Sequence, residues 1–324
     1  MVSSILIVVM SLSSVLLIIG FIILIKSADL LINGACSLAK RFSISELAIG
    51  LTIVAFGTSA PELIVNIISS AGGHNEICFG NILGSNIFNT LVVLGVAGII
   101  YPISIEKNTV KKEIPFVLIG TIFVLALSNN FIFEGNTLSR LDGVFLILSL
   151  ILFFVYVVGI AKDNISEDIT VKLHSVPISL LYTVIGIIGL FFGGEMVVKN
   201  AVFIAQLLNV SEKFIAITIV ALGTSLPELV TSIIAITKKR HGLAMGNVIG
   251  SNLFNIFLVL GVSSIIKPLV YPVELNIDFY FLIIITIILF ITMFTGKKRK
   301  LGRAESIMFI ILYIGYVAFL FYRK

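Results

Sequence analysis

The sequence is short of charge, of cysteine and of histidine. Only 12% of its 324 residues are charged, about half the share usual in soluble domains. No stretch is polar enough or long enough to make a soluble domain. Two cysteines, Cys36 and Cys78, are too few for a disulfide framework or a thiolate metal cluster, and they read as small buried side chains. The three histidines, His74, His174 and His241, all fall in predicted loops. With no histidine inside a span and no GxSxG or HExxH motif, the chain lacks the parts of an intramembrane protease.

What is abundant is apolar. Hydrophobic residues make up 58% of the chain and the mean hydropathy is +1.17. Stretches long enough to cross a bilayer, roughly 20 residues as a helix, recur along the whole length. The expectation is an all-α integral membrane protein of ten transmembrane helices, at about 5–39, 45–70, 78–100, 112–128, 141–161, 176–208, 213–237, 243–266, 277–295 and 304–322. The first and sixth are too long for an upright crossing and should tilt. The first 25 residues lack a basic start and a small-residue cleavage site, so no signal peptide is expected.

The chain repeats itself. Residues 45–102 fall on 211–268 without a gap, with about half the positions identical. "RLDGVFLIL" and "RAESIMFII" pair the last spans more loosely. Each half, 1–161 and 176–324, then holds five spans, with 162–175 as a short linker. An odd number of crossings starts the second half on the opposite side of the membrane. The halves should therefore be inverted-topology repeats, and transporters so built bind their substrate near the midplane, where the repeats meet.

Charge places the two sides. Of the 22 lysines and arginines, fifteen lie in loops after odd-numbered spans and five on the opposite face. That bias marks the rich side as cytoplasmic and explains the net charge of +5 without nucleic acid. Both termini should be extracellular and the linker cytoplasmic, which leaves the sequon at Asn164 unglycosylated. "KKRKLGR" (297–303) reads as a positive-inside anchor. In the first span Lys26 and Asp29 are spaced i, i+3, and in the sixth Glu195 and Lys199 are spaced i, i+4. Both spacings suit intrahelical pairs.

Two stretches break the apolar pattern, "FGTSAPELI" (56–64) and "LGTSLPELV" (222–230). Proline has no N–H and crowds the carbonyl four residues back. Pro61 should free the carbonyl of Gly57 and disturb that of Thr58; Pro227 should do the same at Gly223 and Thr224. Freed carbonyls at membrane depth need a partner or a wet cavity. Glu62 and Glu228 follow the prolines, and an unpaired carboxylate there costs at least a few kcal/mol. No lysine or arginine shares a span with either. Together they carry a charge of −2, which one divalent or two monovalent cations would neutralise. Asn81, Ser85 and Asn89 share one helix face at i, i+4, i+8, as do Asn247, Ser251 and Asn255. Gly80 and Gly84, and Gly246 and Gly250, have the spacing that lets helices pack closely. An oxygen-only donor set suits Ca²⁺ or Na⁺ rather than Zn²⁺ or Cu⁺.

"GTSAPEL…GNILGSNIFN" and "GTSLPEL…GNVIGSNLFN" resemble the two alpha repeats of the calcium/cation antiporter superfamily, in its sodium/calcium exchanger branch. The resemblance implies a secondary antiporter that exchanges Na⁺ for Ca²⁺ by alternating access, with the ions as substrates and no cofactor. It implies Ca²⁺ ligands at the carboxylates of Glu62 and Glu228 and the carbonyls of Thr58 and Thr224. It implies sodium sites at the carbonyls of Ala55 and Ala221, at Ser59, Ser85, Ser225 and Ser251, and at the same glutamates. Asn89 and Asn255 would line the middle, with Asn81 and Asn247 on the same faces. Proton-coupled or potassium-dependent exchange within the superfamily, and a cation channel outside it, are the alternatives.

Overall fold

A computed structural model describes residues 2–129, 136–161, 173–208, 223–295 and 299–323, with side chains from Met10 onward. Ala221, the start of the seventh predicted span and residues 162–172 of the linker lie outside the described residues.

The chain is helical nearly throughout. In order come α1 (Val2–Arg41), α2 (Glu46–Thr58), α3 (Ala60–Gly72), α4 (Asn75–Ile100), α5 (Ile114–Ser128), α6 (Arg140–Ile160), α7 (Val176–Leu207), α8 (Leu226–Thr237), α9 (His241–Ile266), α10 (Asn276–Thr292) and α11 (Arg303–Tyr322). Among the described residues seven helices are long and apolar enough to cross a membrane, and an eighth span is the bent pair α2–α3. The helix α5 and the helix α8 are shorter. The protein is a multi-pass membrane protein. Its lipid-facing surface is apolar: Ile18 of α1, Val158 of α6 and Ile311 of α11 are all exposed. Its interior is where the polar side chains are. Asn66, Asn86, Asn89, Asn247, Asn255, Glu62 and Glu228 are fully buried. Set among a buried apolar core, these polar side chains fit helices held together by small residues and polar side chains in lipid.

Local chemistry starts and stops these helices. Ser45 caps α2, its side chain accepting from Ala48 N at 3.2 Å. Ser139 and Asp142 form a reciprocal capping box at α6. Gly73, at φ +80°, closes α3 in a left-handed turn that favours glycine.

The long helices α1 and α7 lie against each other at backbone distance. A Cβ at Gly34 would meet Ser179 O at 2.6 Å, and one at Gly186 would meet Leu31 N at 2.7 Å. The ends are tied as well: Ser179 Oγ donates to Ser37 Oγ at 2.8 Å, and Arg41 Nη2 to His174 O at 2.8 Å. A second seam joins α2 to α9. There a Cβ at Gly246 would meet Leu47 O at 2.6 Å and one at Gly250 would meet Ala55 Cβ at 2.6 Å. The expected close packing thus holds for Gly246 and Gly250. At Gly80 and Gly84 no atom of the described residues comes within 4 Å of a Cβ position.

Two short antiparallel ladders stitch distant loops. Ile103–Ser104 (β1) pairs with Lys300–Leu301 (β4), and Thr137–Leu138 (β2) pairs with Leu269–Val270 (β3).

One sequence expectation is corrected. Asp29 takes its cation not from Lys26 but from another element. Its carboxylate meets Lys238 Nζ at 2.5 Å, just beyond the end of α8. Asn33 completes the group, donating to Asp29 Oδ2 at 3.0 Å and accepting from Lys238 at 2.8 Å. The i, i+3 rule describes isolated helix surfaces, and here a neighbouring element brings a better-placed cation. The Glu195–Lys199 pair is found as expected, at 2.6 Å.

Candidate functional site

The two breaks are built alike. After Thr58 the helix turns through Ser59 at φ −83°, ψ 5°, and α3 resumes with Pro61 in its first turn, bent 47° from α2. Ser225 sits at φ −91°, ψ 6° ahead of α8, with Pro227 in the first turn. Proline is at ease there, because the first N–H groups of a helix have no partner within it. Glu62 and Glu228 each fall in that first turn, where the positive end of the helix dipole favours a carboxylate.

The side chains cross between halves. Glu62 Oε1 accepts from Ser85 Oγ at 3.3 Å and from Ser225 Oγ at 3.3 Å. Glu228 Oε1 accepts from Ser59 Oγ at 3.2 Å. Thr58 Oγ1 meets Asn247 Oδ1 at 3.0 Å and Ser251 Oγ at 3.2 Å. Thr224 Oγ1 donates to Asn81 Oδ1 at 3.4 Å. Asn81 Nδ2 reaches Glu62 O at 3.5 Å and Asn66 Oδ1 at 2.7 Å, while Asn247 Nδ2 reaches Glu228 O at 3.4 Å and Ser232 Oγ at 3.0 Å. The carbonyl of Ala55 accepts from Ser59 N at 3.0 Å and from Thr58 Oγ1 at 3.3 Å. The structure thus draws Glu62, Glu228, Thr58, Thr224, Ala55, Ser59, Ser85, Ser225, Ser251, Asn81 and Asn247 into one cluster, buried except at the half-buried Asn81 and Thr224. Ala221 alone of the sequence-derived positions is outside the described residues.

Among the described residues four oxygens at this centre are buried without a hydrogen-bond partner: Glu62 Oε2, Glu228 Oε2, Asn89 Oδ1 and Asn255 Oδ1. Each unsatisfied polar atom costs about 1–3 kcal/mol, and more when charged. Two carboxylate and two amide oxygens, all acceptors, are a donor set for a hard cation. Asn89 opens a π-helical turn, Asn89–Val93, and Asn255 lies in another, Phe254–Val259. Such turns gather at functional sites.

Sequence reasoning missed Asn86 and Asn252. Both are buried and hydrogen-bonded across the halves: Asn86 Nδ2 donates to Asn252 O at 3.3 Å. The signal was present, an asparagine directly after each motif serine. Its position off the Asn81–Ser85–Asn89 face hid it.

A cavity of about 350 Å³ opens beside the breaks, lined by Pro61, Thr224 and Pro227 together with Glu195 and Lys199 of α7.

Residues 12–159 and 178–322 match the family described as sodium/calcium exchanger protein. The inner membrane protein YrbG of Escherichia coli is 32% identical over 324 residues, covering 97% of this chain and 98% of its own. The sodium/calcium exchanger MaX1 of Methanosarcina acetivorans is 29% identical over 343 residues, covering 95% and 98%. The solved structure of the sodium-calcium exchanger NCX_Mj soaked with 2.5 mM Na⁺ and 0.1 mM Ca²⁺ is similar with a TM-score of 0.78 at 35% identity, over 95% of this chain and 98% of that one. Its form soaked with zero Na⁺ and Ca²⁺ gives 0.81 at 34%, over 95% and 99%.

Proposed function

The chain belongs to the sodium/calcium exchanger protein family, and we propose that it is a secondary antiporter exchanging Na⁺ for Ca²⁺ by alternating access. The reading takes ten spans in two inverted halves, 1–161 and 176–324, joined by a cytoplasmic linker at 162–175, with both termini extracellular. Ca²⁺ is held by the carboxylates of Glu62 and Glu228 and the carbonyls of Thr58 and Thr224. Na⁺ uses the carbonyls of Ala55 and Ala221, the hydroxyls of Ser59, Ser85, Ser225 and Ser251, and the same glutamates. Asn89 and Asn255 close the centre, with Asn81 and Asn247 behind.

The observation that carries this reading is the set of four partnerless buried oxygens on Glu62, Glu228, Asn89 and Asn255. Two carboxylates at membrane depth cost roughly 2.5–3.5 kcal/mol each when unpaired. One Ca²⁺ or two Na⁺ offset that charge, so the ions compete for the same oxygens. Exchange follows from competition: the carboxylates cross between states only when neutralised. The α1–α7 pair, joined backbone to backbone, slides as one unit against the other helices to change the side on which the site opens.

The test is Ca²⁺ uptake into proteoliposomes loaded with Na⁺ or with choline at fixed pH. Uptake is expected only with Na⁺ inside. Uptake that follows a proton gradient and ignores Na⁺ would assign the chain to proton coupling, and a requirement for K⁺ to potassium-dependent exchange. Passive flux without counter-ion would indicate a channel.

A further inference from the structure

Four asparagines and a threonine form a closed chain of hydrogen bonds across the centre, and the chain has a direction. Asn86 Nδ2 donates to the backbone carbonyl of Asn252 at 3.3 Å. A carbonyl oxygen can only accept, so this bond fixes which end of the Asn86 amide is nitrogen. Asn86 Oδ1 is then the acceptor for Asn255 Nδ2 at 3.0 Å. With its nitrogen committed there, Asn255 presents Oδ1 elsewhere, buried and without a partner.

The other arm is set the same way. Thr90 Oγ1 gives its proton to Asn86 O at 2.8 Å, which leaves only lone pairs to receive Asn252 Nδ2 at 3.1 Å. Asn252 Oδ1 therefore accepts from Asn89 Nδ2 at 3.2 Å, and Asn89 Oδ1 is the free end. Asn89 follows Ser85 by one helical turn, and Ser85 donates to Glu62. The free oxygen of Asn89 thus shares the helix face that carries the glutamate's partner.

We propose that Asn86 and Asn252 are positioning residues that hold the amides of Asn255 and Asn89 oxygen-first toward the transported cations. This rests on the reading of the Glu62–Glu228 centre as the ion site. An amide turned end for end offers an NH₂ donor, which repels a cation instead of coordinating it. The two outer asparagines therefore decide whether the inner pair attracts or rejects, without touching an ion themselves.

The experiment uses the full chain in proteoliposomes and measures Ca²⁺ concentration dependence of Na⁺-driven uptake for wild type, N86A, N255D and N86A/N255D. In N86A the Asn255 amide loses its acceptor and can reverse. The Ca²⁺ concentration for half-maximal uptake should rise roughly tenfold, with the maximal rate kept. An aspartate at 255 has oxygen at both ends, so orientation no longer matters and N86A/N255D should recover to within about twofold of N255D. A role confined to packing predicts an N86A loss that persists in the double variant, which would overturn the proposal, as would an N86A curve superimposable on wild type. If N86A does not fold, N252A with N89D tests the other arm by the same comparison. Absence of Na⁺-driven uptake in wild type would overturn the ion-site reading itself, a distinct result.

Discussion

The two copies of the duplicated sequence are alike in letters and different in what their side chains hold. Glu62 accepts from two serines, Ser85 and Ser225, and Glu228 accepts from Ser59, while Ser251, the counterpart of Ser85, also meets Thr58. The offset of the repeat lays Asp29 on Glu195. Asp29 reaches across to Lys238 on another element, while Glu195 stays with Lys199 on its own helix. The position matching Lys238 is Gly72, which has no side chain to offer. Near the starts of α5 and α10 a buried acid bonds a tyrosine in each copy: Glu113 with Tyr156, and Asp278 with Tyr316 at 2.7 Å. Aromatic pairs stack beside each, Phe116 on Phe153 and Phe281 on Tyr316. Among the described residues only the second acid has a cation, Arg323 at 2.7 Å. The lesson is that a near-symmetric site sits in an asymmetric frame. The frame, more than the ligands, distinguishes the two ends of the molecule.

The largest effect should come from the symmetric part. Glu62→Gln and Glu228→Gln should each lower Ca²⁺ uptake by about 100-fold or more, since losing one buried charge removes several kcal/mol of ion binding. Gel filtration of the purified variants should show folded protein. Wild-type rates in either would break the equivalence of the two carboxylates.

Next is the second acid–tyrosine pair. Arg323→Ala should leave the buried Asp278 with Tyr316 alone and cost about 3 kcal/mol of stability, read as a lowered thermal midpoint in detergent. Glu113→Gln keeps an acceptor for Tyr156 and should cost less than about 1 kcal/mol. Equal losses would erase the contrast.

The pair Asp29–Lys238 is partly exposed, at 44% and 31%, so Lys238→Ala should be worth about 1 kcal/mol. Under the proposed alternating access that would be roughly a fivefold shift between outward and inward orientations, measurable by the labelling rate of single cysteines introduced on either face. The smallest change belongs to Lys199→Ala. Its pair is 73% and 42% exposed and spaced i, i+4, worth under about 0.5 kcal/mol. A Lys199→Ala effect larger than that of Lys238→Ala would reverse the contrast between the pair that links two elements and the pair within one helix.

Much of the centre was readable because its chemistry is conspicuous in an apolar chain. A proline beside a glutamate, twice, with polar stripes at helical spacing, leaves few other meanings. The seven long apolar helices among the described residues followed from length and hydropathy for the same reason. What could not be read depends on neighbours. The partner of Asp29 is far away in sequence, and a spacing rule sees only the same helix. The direction of the Asn89 and Asn255 amides depends on backbone carbonyls that no composition reveals. The close packing expected of both glycine pairs is seen at Gly246 and Gly250 against α2; the segment that the repeat would set against Gly80 and Gly84 falls in 209–222.

The ladder β1–β4 has a consequence for how the protein is made. Ile103 pairs with Leu301, a residue that leaves the ribosome almost two hundred positions later. At about 5–20 residues per second, that strand waits roughly ten to forty seconds for its partner. The helices that precede Ile103 must therefore enter the bilayer well before the tertiary structure can close. A nascent chain halted after Ile160 would have buried amides and a carboxylate with nothing yet to answer them.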